Sequence, residues 1–596
     1  MEAPLHWVII ETGSNQAYIF STNKQRLQVA ASAAVWQLGM EWIPEAIRGP
    51  GLTLVPGNAN GGSDPIGVFR RDPNAVLHVV KASGRAVLLV HNEEHGRSII
   101  RHVTRHALEE RTGLDVWGHV GPALASDLSD AGKQFFVTDV GLRRQRTQRF
   151  SPITRFPTLP FHQPCAYTGL PAVRWDKETP KEPDLQARSD VIDFLFGNAT
   201  KARKRMIKSA YGELTSEDQG FARYVMVRPE DLSGEGLSDN GWIGILHADG
   251  NGVGKIFANL RYAYQGEQFV RKQAELSSRL DDLTWMALRD TIVGRDSATG
   301  ELTAQWRVDE ENPTKYRNSI LPIVVGGDDV SAALSGVIAF DFAELLARNF
   351  SHYAADEHGR PFRDALAAVK TALGADSAEA SAIPDGLSLA VGLVFTKAHH
   401  PFSHSIEVAE SLTSEAKKGS GRRYSAIDTH VLFESAVRDL EAIRKHMTFD
   451  DETFTYAGTP IAVPLTSTER AQATEDGLMT VDDVRALQGE LTTDKETETP
   501  RLSRSQIQMF KQAITESKDH DTLTQKIALV RNRLAVLDVT IPSLVDHQLP
   551  DVTRDSASTM FTQALDLIDV ARGTVESSHE HNNANGPSSA DAEATL

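Results

Sequence analysis

Leu321-Pro-Ile-Val-Val-Gly-Gly-Asp-Asp-Val-Ser-Ala-Ala-Leu334 is an apolar run, a short polar turn carrying two carboxylates, and a second apolar run. The pattern predicts a β-hairpin with acid at its tip. Gly326 and Gly327 would supply the positive φ angles of a tight hairpin turn and let a ligand approach the backbone, leaving Asp328 and Asp329 where a metal could bind. Carboxylate oxygens suit hard cations such as Mg²⁺.

A second acidic turn upstream gives the hairpin its meaning. In Gly241-Trp-Ile-Gly-Ile-Leu-His-Ala-Asp-Gly-Asn-Gly-Val-Gly-Lys-Ile-Phe-Ala-Asn-Leu260 an apolar strand ends in Asp249, and a glycine-rich loop opens a helix. Val253, Ile256, Phe257 and Leu260 fall on one face of that helix. A strand-end carboxylate beside a hairpin-tip pair is the minimal cage for two divalent ions, Mg²⁺ or Mn²⁺, which nucleotidyl transfer to an α-phosphate requires. The candidate metal ligands are therefore Asp249, Asp328 and Asp329. Backbone N–H groups of Gly250, Asn251, Gly252 and Gly254 at a helix start would help hold phosphates, with Gly326 and Gly327 on the hairpin side. The loop has neither the spacing of a P-loop nor its Ser or Thr after the lysine, so that reading is dropped.

At 596 residues, with 40% hydrophobic and 24% charged residues, the chain is long enough for several cores. No apolar run reaches membrane-spanning length, and Met-Glu-Ala-Pro-Leu-His-Trp is unlike a signal peptide, so a cytoplasmic protein without membrane contact is expected. The single cysteine, Cys165, excludes an internal disulfide framework and an all-cysteine zinc site. A net charge of −18 disfavours nonspecific nucleic-acid binding over the whole surface, although local basic patches could still hold RNA.

Near the N-terminus, Trp7-Val-Ile-Ile10 reads as a strand, followed by an acidic glycine turn from Glu11 and a helix from Tyr18 to Leu38. Val76 to Val80 and Ala86 to Val90 form a hairpin around Lys81-Ala-Ser-Gly-Arg85, and Ile99, Val103 and Ala107 space a helix. This repeats the order around Asp249 at a similar spacing, which implies an internal duplication whose first copy lacks hairpin acid and has lost its metal site. Basic clusters stand at 143–149 and 201–205, open to phosphate contact or plain solvation. Between them Pro164-Cys-Ala-Tyr-Thr-Gly-Leu-Pro-Ala172 looks like a zinc knuckle stripped of its other cysteines. Leu387, Leu389, Val391, Leu393 and Phe395 alternate as a half-buried strand. Ser403 or Ser405 would cap the next helix, with Val408, Leu412 and Ala416 on one face, Lys417 and Lys418 in its last turn and Gly419 at its end. Lys417 is placed either to meet phosphate or to interact with the helix dipole. His399, His400 and His404 read as surface histidines. Beyond residue 433 the stripes Ile507, Phe510, Ile514 and Leu523, Ile527, Val530, Leu534 indicate helices, with a loop at 491–500 and a disordered tail after Val575.

Asp249-Gly-Asn-Gly-Val-Gly-Lys-Ile-Phe, Gly326-Gly-Asp-Asp329, the strand ending Phe395-Thr-Lys397 and the helix ending Glu415-Ala-Lys417 resemble the large palm-domain subunit of type III CRISPR effectors. Gly13-Ser-Asn-Gln-Ala-Tyr-Ile-Phe20 and Ala30-Ala-Ser32 resemble that family's first palm. The resemblance spans about residues 5–430. It implies an α+β protein with two ferredoxin-like palms: a degenerate one over 1–160, a linker with the knuckle remnant over 161–240, and a catalytic palm over 241–432. A helical domain over 433–576 and a tail over 577–596 would follow. It also implies a nucleotidyltransferase making cyclic oligoadenylates from ATP in antiviral defence, with Asp249, Asp328 and Asp329 as metal ligands and with guide or target RNA and effector proteins as partners. With the first palm strand starting near Trp7, the HD nuclease domain of many relatives, and with it DNA cleavage, is not expected, and Asn251 stands where an aspartate is common. A stand-alone synthase, a catalytically silent RNA-binding scaffold and another metal-dependent phosphotransferase remain as alternatives.

Overall fold

The computed structural model describes residues 4–58, 64–148, 159–177, 184–211, 242–303, 320–375, 377–397, 400–432, 439–447, 458–492, 503–517 and scattered positions between 521 and 567. Arg149, His399, Leu523, Ile527, Leu534, the loop from 493 to 500 and the tail expected after Val575 lie outside these residues.

The N-terminal part runs β1 (Leu5–Gly13), α1 (Asn15–Ile19), α2 (Gln25–Gln37), α3 (Ile43–Arg48), β2 (Thr53–Pro56), α4 (Pro65–Arg71), β3 (Ala75–Ala82), β4 (Arg85–Val90), α5 (Glu93–Glu109), β5 (Asp115–Leu124) and α6 (Ala131–Thr147). Its strands form a sheet in the order β2-β3-β4-β1-β5. The single helix expected from Tyr18 to Leu38 is instead α1 and α2, followed by a π-helical turn over Leu38–Trp42. Every residue of β1 is buried, because helices cover both faces of the sheet. A two-stranded ribbon, β6 (Arg174–Lys177) with β7 (Leu185–Arg188), and the long α7 (Asp190–Tyr211) follow.

The second sheet begins at β8 (Trp242–Gly250). After α8 (Val253–Ala263) and α9 (Gly266–Val293) come the hairpin β9 (Ile320–Gly326) and β10 (Asp329–Ser335), then α10 (Gly336–Ala355), α11 (Arg360–Leu373) and α12 (Ala378–Ser381). β11 (Leu389–Lys397), α13 (Phe402–Gly419) and β12 (Ser425–Val431) complete the unit, in the sheet order β13-β12-β11-β8-β10-β9. Pairings of β8 with β10 and β11 are antiparallel, so β11-β8-β10-β9 repeats the β5-β1-β4-β3 order of the first sheet.

Two expectations change here. β11 is buried on both faces up to Thr396, not half-buried. Its alternate residues are small because α13 lies directly on them: a Cβ on Gly392 would sit 1.9 Å from the carbonyl oxygen of Ala409. The helix α13 starts after Pro401 and neither Ser403 nor Ser405 caps it.

Past residue 433 come α14 (Leu440–His446), β13 (Ile461–Val463), α15 (Ser467–Glu475), α16 (Val481–Thr492) and α17 (Arg504–Thr515). The stretch expected to be only helical thus contributes an edge strand, as β13 pairs with β12 through Ser425 and Val463. Ile507, Phe510 and Ile514 are buried on α17 as their spacing requires. One buried apolar cluster runs through both sheets, from Trp7, Ile9 and Leu77 to Ile245, Ile323 and Leu393.

Candidate active site

Three segments meet at one end of the second sheet. β8 carries Asp249 near its end, and the hairpin carries Asp328 in its turn and Asp329 at the start of β10. Val330 pairs with Ala248, so Asp249 and Asp329 stand next to one another on adjoining strands. One carboxylate oxygen from each of Asp249, Asp328 and Asp329 lies within 4.8 Å of the others, and no other such cluster of acids, histidines or cysteines occurs among the described residues.

Pairing of Gly326 with Asp329 leaves a two-residue turn, Gly327-Asp328. Only Gly327 has a positive φ, 64°, which suits a type II′ turn and corrects the expectation that both glycines need one. Gly326 is constrained by space: a Cβ there would fall 2.9 Å from Cβ of Ser83, in the β3–β4 turn. The Gly327 N–H donates to Oδ1 of Asp281 on α9 at 3.3 Å, and burial holds that carboxyl above the usual range.

On the facing side Gly250 admits the hairpin acid, since a Cβ would lie 2.8 Å from Cβ of Asp328. Gly252 starts α8 at φ 81° and packs on Pro384. Asn251 is fully buried; its backbone N–H donates to Ser388 O at 2.7 Å and its Nδ2 to Ser388 Oγ at 2.8 Å. Its backbone N–H, expected to face phosphate, and its side chain both anchor the loop to the segment before β11. Nothing crowds Gly254.

Burial raises the Asp328 carboxyl well above the usual range, and the neighbouring Asp329 and Asp249 add to this. Asp329 is pushed up to about 7, by burial first and then by Asp249. Lys417, in the last turn of α13, forms an ion pair with Asp249. Glu410, two turns earlier on α13, is pushed up to about 7 by burial and by Glu407, and its charge bears on Asp329. The sequence reading missed it, although its seven-residue spacing from Lys417 puts both on one helix face. His247 is buried, lowered to about 4 by that burial, and bonded through Nδ1 to Ser331 Oγ at 2.9 Å. Carboxylates this close repel unless a cation offsets them, so the all-oxygen donor set fits a hard divalent ion.

The first sheet shows the opposite charge logic at the matching place. Glu11 pairs across β1 and β4 with Arg85, whose guanidinium donates to Glu11 at 2.8 Å, and Arg146 donates to Glu11 at 2.7 Å. Arg85 and Arg143 also hold Asp139, at 2.8 and 2.7 Å. Two of the arginines considered for phosphate contact are therefore engaged within the chain. In the other basic cluster Arg205 stacks 3.9 Å over the Trp36 ring. Cys165 is buried and its Sγ accepts the Tyr167 N–H at 3.5 Å, inside a turn closed by Cys165 N–H to Leu170 O at 2.7 Å.

The sequence profile of the Cas10/Cmr2 second palm domain matches residues 242–426. No curated protein matches the chain. In structure it is similar to the crystal structure of Csm1 in T. onnurineus, at 12% identity and TM-score 0.51, covering 96% of this chain and 70% of that one. The apo Csm1-Csm4 cassette matches at 13% identity and TM-score 0.51, with the same coverage. The cassette in complex with AMPPNP matches at 12% and 0.51, again over 96% and 70%, and the cassette with pppApApA at 12% and 0.51, over 95% and 69%. Residues 242–426 are thus similar to the Cas10/Cmr2 second palm domain, and the chain shares its fold with Csm1.

Proposed function

We propose that the protein is a divalent-metal-dependent nucleotidyltransferase that joins ATP into cyclic oligoadenylates. The observation that carries this reading is the clustering of Asp249, Asp328 and Asp329 within 4.8 Å inside a palm of a family whose relatives are crystallised with AMPPNP and pppApApA. Two Mg²⁺ or Mn²⁺ ions held by these carboxylates would lower the pKa of the attacking hydroxyl and offset charge on the leaving pyrophosphate. A ribose hydroxyl of one nucleotide attacks the α-phosphorus of another: an O–P bond forms, the α–β anhydride breaks, the hydroxyl loses its proton and pyrophosphate leaves. N–H groups at the α8 start face the phosphates. Lys417, now paired with Asp249, would be free to meet a phosphate oxygen if cations took over that carboxylate. The likeness to Csm1-Csm4 cassettes supports a partner protein, and RNA is proposed as the activating ligand on the family resemblance.

The test is pyrophosphate release from ATP with Mg²⁺ or Mn²⁺, with and without copurifying RNA. Asp328→Ala with Asp329→Ala should abolish release while the protein stays folded. Undiminished release in that variant overturns the assignment; no release from the wild type under any of these conditions favours the silent scaffold.

A further inference from the structure

A cleft of about 660 Å³ opens beside the glycine loop, lined by α11, the 381–388 segment, the 421–424 turn and the start of α15. It lies toward β11, whereas the acid hairpin flanks β8 on the other side, through β10. Its wall includes Lys255, Arg363, Lys370, Arg422 and Arg423 against the acids Asp385 and Glu469.

Both acids are already engaged. Asp385 is paired with Lys370, and Glu469 closes a capping box, accepting the Leu465 N–H at 2.5 Å. Arg423 is engaged by Asp476, through bonds of 2.6 and 2.7 Å. Three cations then remain without a carboxylate. Lys255 donates only to the carbonyl of Ala382 at 2.7 Å, and Arg363 to that of Ala354 at 2.5 Å. The Arg422 guanidinium meets no acceptor among the described residues, and its backbone holds a left-handed φ of 62° straight after Gly421 at 57°. All three side chains are half-buried. Three unpaired cations against the one carboxylate of Glu469, which accepts only backbone N–H groups, leave an excess of positive charge in one cleft of a chain with net charge −18 and mark a site for a strong anion.

We infer that this cleft binds a polyphosphate chain, separately from the catalytic acids. Two guanidinium forks and an ammonium offer donors to several non-bridging oxygens, which phosphate anhydrides present and a lone carboxylate does not. The hydroxyls of Ser381, Ser388, Thr466 and Thr468 line the same space, and its volume falls in the small-molecule range. The phosphates belong either to a nucleoside triphosphate or to inorganic pyrophosphate.

The cleft is wired to the catalytic loop. Lys255 belongs to α8, Gly252 packs on Pro384, and Asn251 is bonded to Ser388, so the cleft's 381–388 wall is also the support of the loop after Asp249. A phosphate that draws Lys255 from Ala382 loosens that support. This coupling rests on the catalytic reading above; the binding itself does not.

The experiment is isothermal titration of the full chain in EDTA, so that no divalent ion bridges phosphate to the acids, with pyrophosphate, tripolyphosphate and ATP as probes. Wild type should bind at one site. Arg363→Gln with Arg422→Gln should weaken it about tenfold or more, as expected when charge-assisted hydrogen bonds are lost. Arg422→Gln alone, at a side chain with no internal partner among the described residues, should weaken it measurably with the melting temperature unchanged. Asp328→Asn with Asp329→Asn should bind as wild type does. ATP bound in preference to the inorganic probes assigns the phosphates to a nucleotide; equal binding assigns them to the phosphate chain alone. Absence of binding for every probe, unchanged affinity in the arginine variants, or loss in the hairpin variant overturns the proposal.

Discussion

Asp329, with the raised Asp328 beside it, gives the site its pH dependence. Its carboxyl stands at about 7, above the ordinary value, because burial and Asp249 disfavour the charged form. A raised folded pKa means the associated stability is complete below the unfolded value and is lost as pH rises through about 7. A divalent ion bound by the carboxylates reverses that loss and must displace the proton. Mn²⁺ should therefore bind about tenfold more tightly at pH 8 than at pH 6, and raise the melting temperature more at the higher pH. Thermal melts with and without Mn²⁺ at both pH values check this; an equal shift at pH 6 and pH 8 would show that Asp329 does not take part. Glu11, at the matching place in the first sheet, has two arginines where Asp249 has two further acids and a lysine. An acid cluster for a cation thus has as its counterpart an arginine-acid network that holds itself together.

At the scale of elements, the position of Lys417 depends on how closely α13 lies on β11. Gly392 makes that approach possible, with the Ala409 carbonyl where a side chain would be. Thr413 adds a hydrogen bond from its Oγ1 to His247 O at 2.9 Å, tying α13 to β8 as well. Gly392→Ala should push α13 outward and cost about 1–3 kcal/mol, the usual penalty of overpacking. It should also lower turnover, since Lys417 and Glu410 both move with the helix. Urea denaturation and pyrophosphate release measured on one preparation test this; full stability would show that α13 accommodates the methyl group without strain.

For the whole molecule, the two sheets are not separate bodies joined by a linker. α9, an element of the second unit, packs on β3 of the first, and α2 of the first packs on β9 of the second. Ser83 and Gly326 bring the two hairpin turns together, and a single apolar cluster passes through both sheets. Unfolding one sheet would expose the apolar face of the other. Calorimetry should accordingly show both palms melting in one transition. Two well-separated transitions, each assignable to one palm by destabilising core variants such as Ile9→Ala and Leu393→Ala, would contradict this.

Much of the candidate site is written locally. The hairpin, the glycine loop and the α8 stripe depend on turn chemistry and periodicity within about 20 residues, which is why Asp249, Asp328 and Asp329 stand out in the sequence itself. The repeated element order is legible for the same reason. Tertiary structure alone decided what distant segments bring to a residue. Alternation in β11 reads as one exposed face, because nothing in its own sequence says that a helix backbone lies against Gly392. Asn251 reads as a ligand contact, but Ser388, far along the chain, turns it inward. The arginines near 143 read as free charge, but Glu11 and Asp139 take two of them. Local sequence sets which residues can bind a cation or a phosphate; burial and partners contributed across the fold set which of them are left to do so.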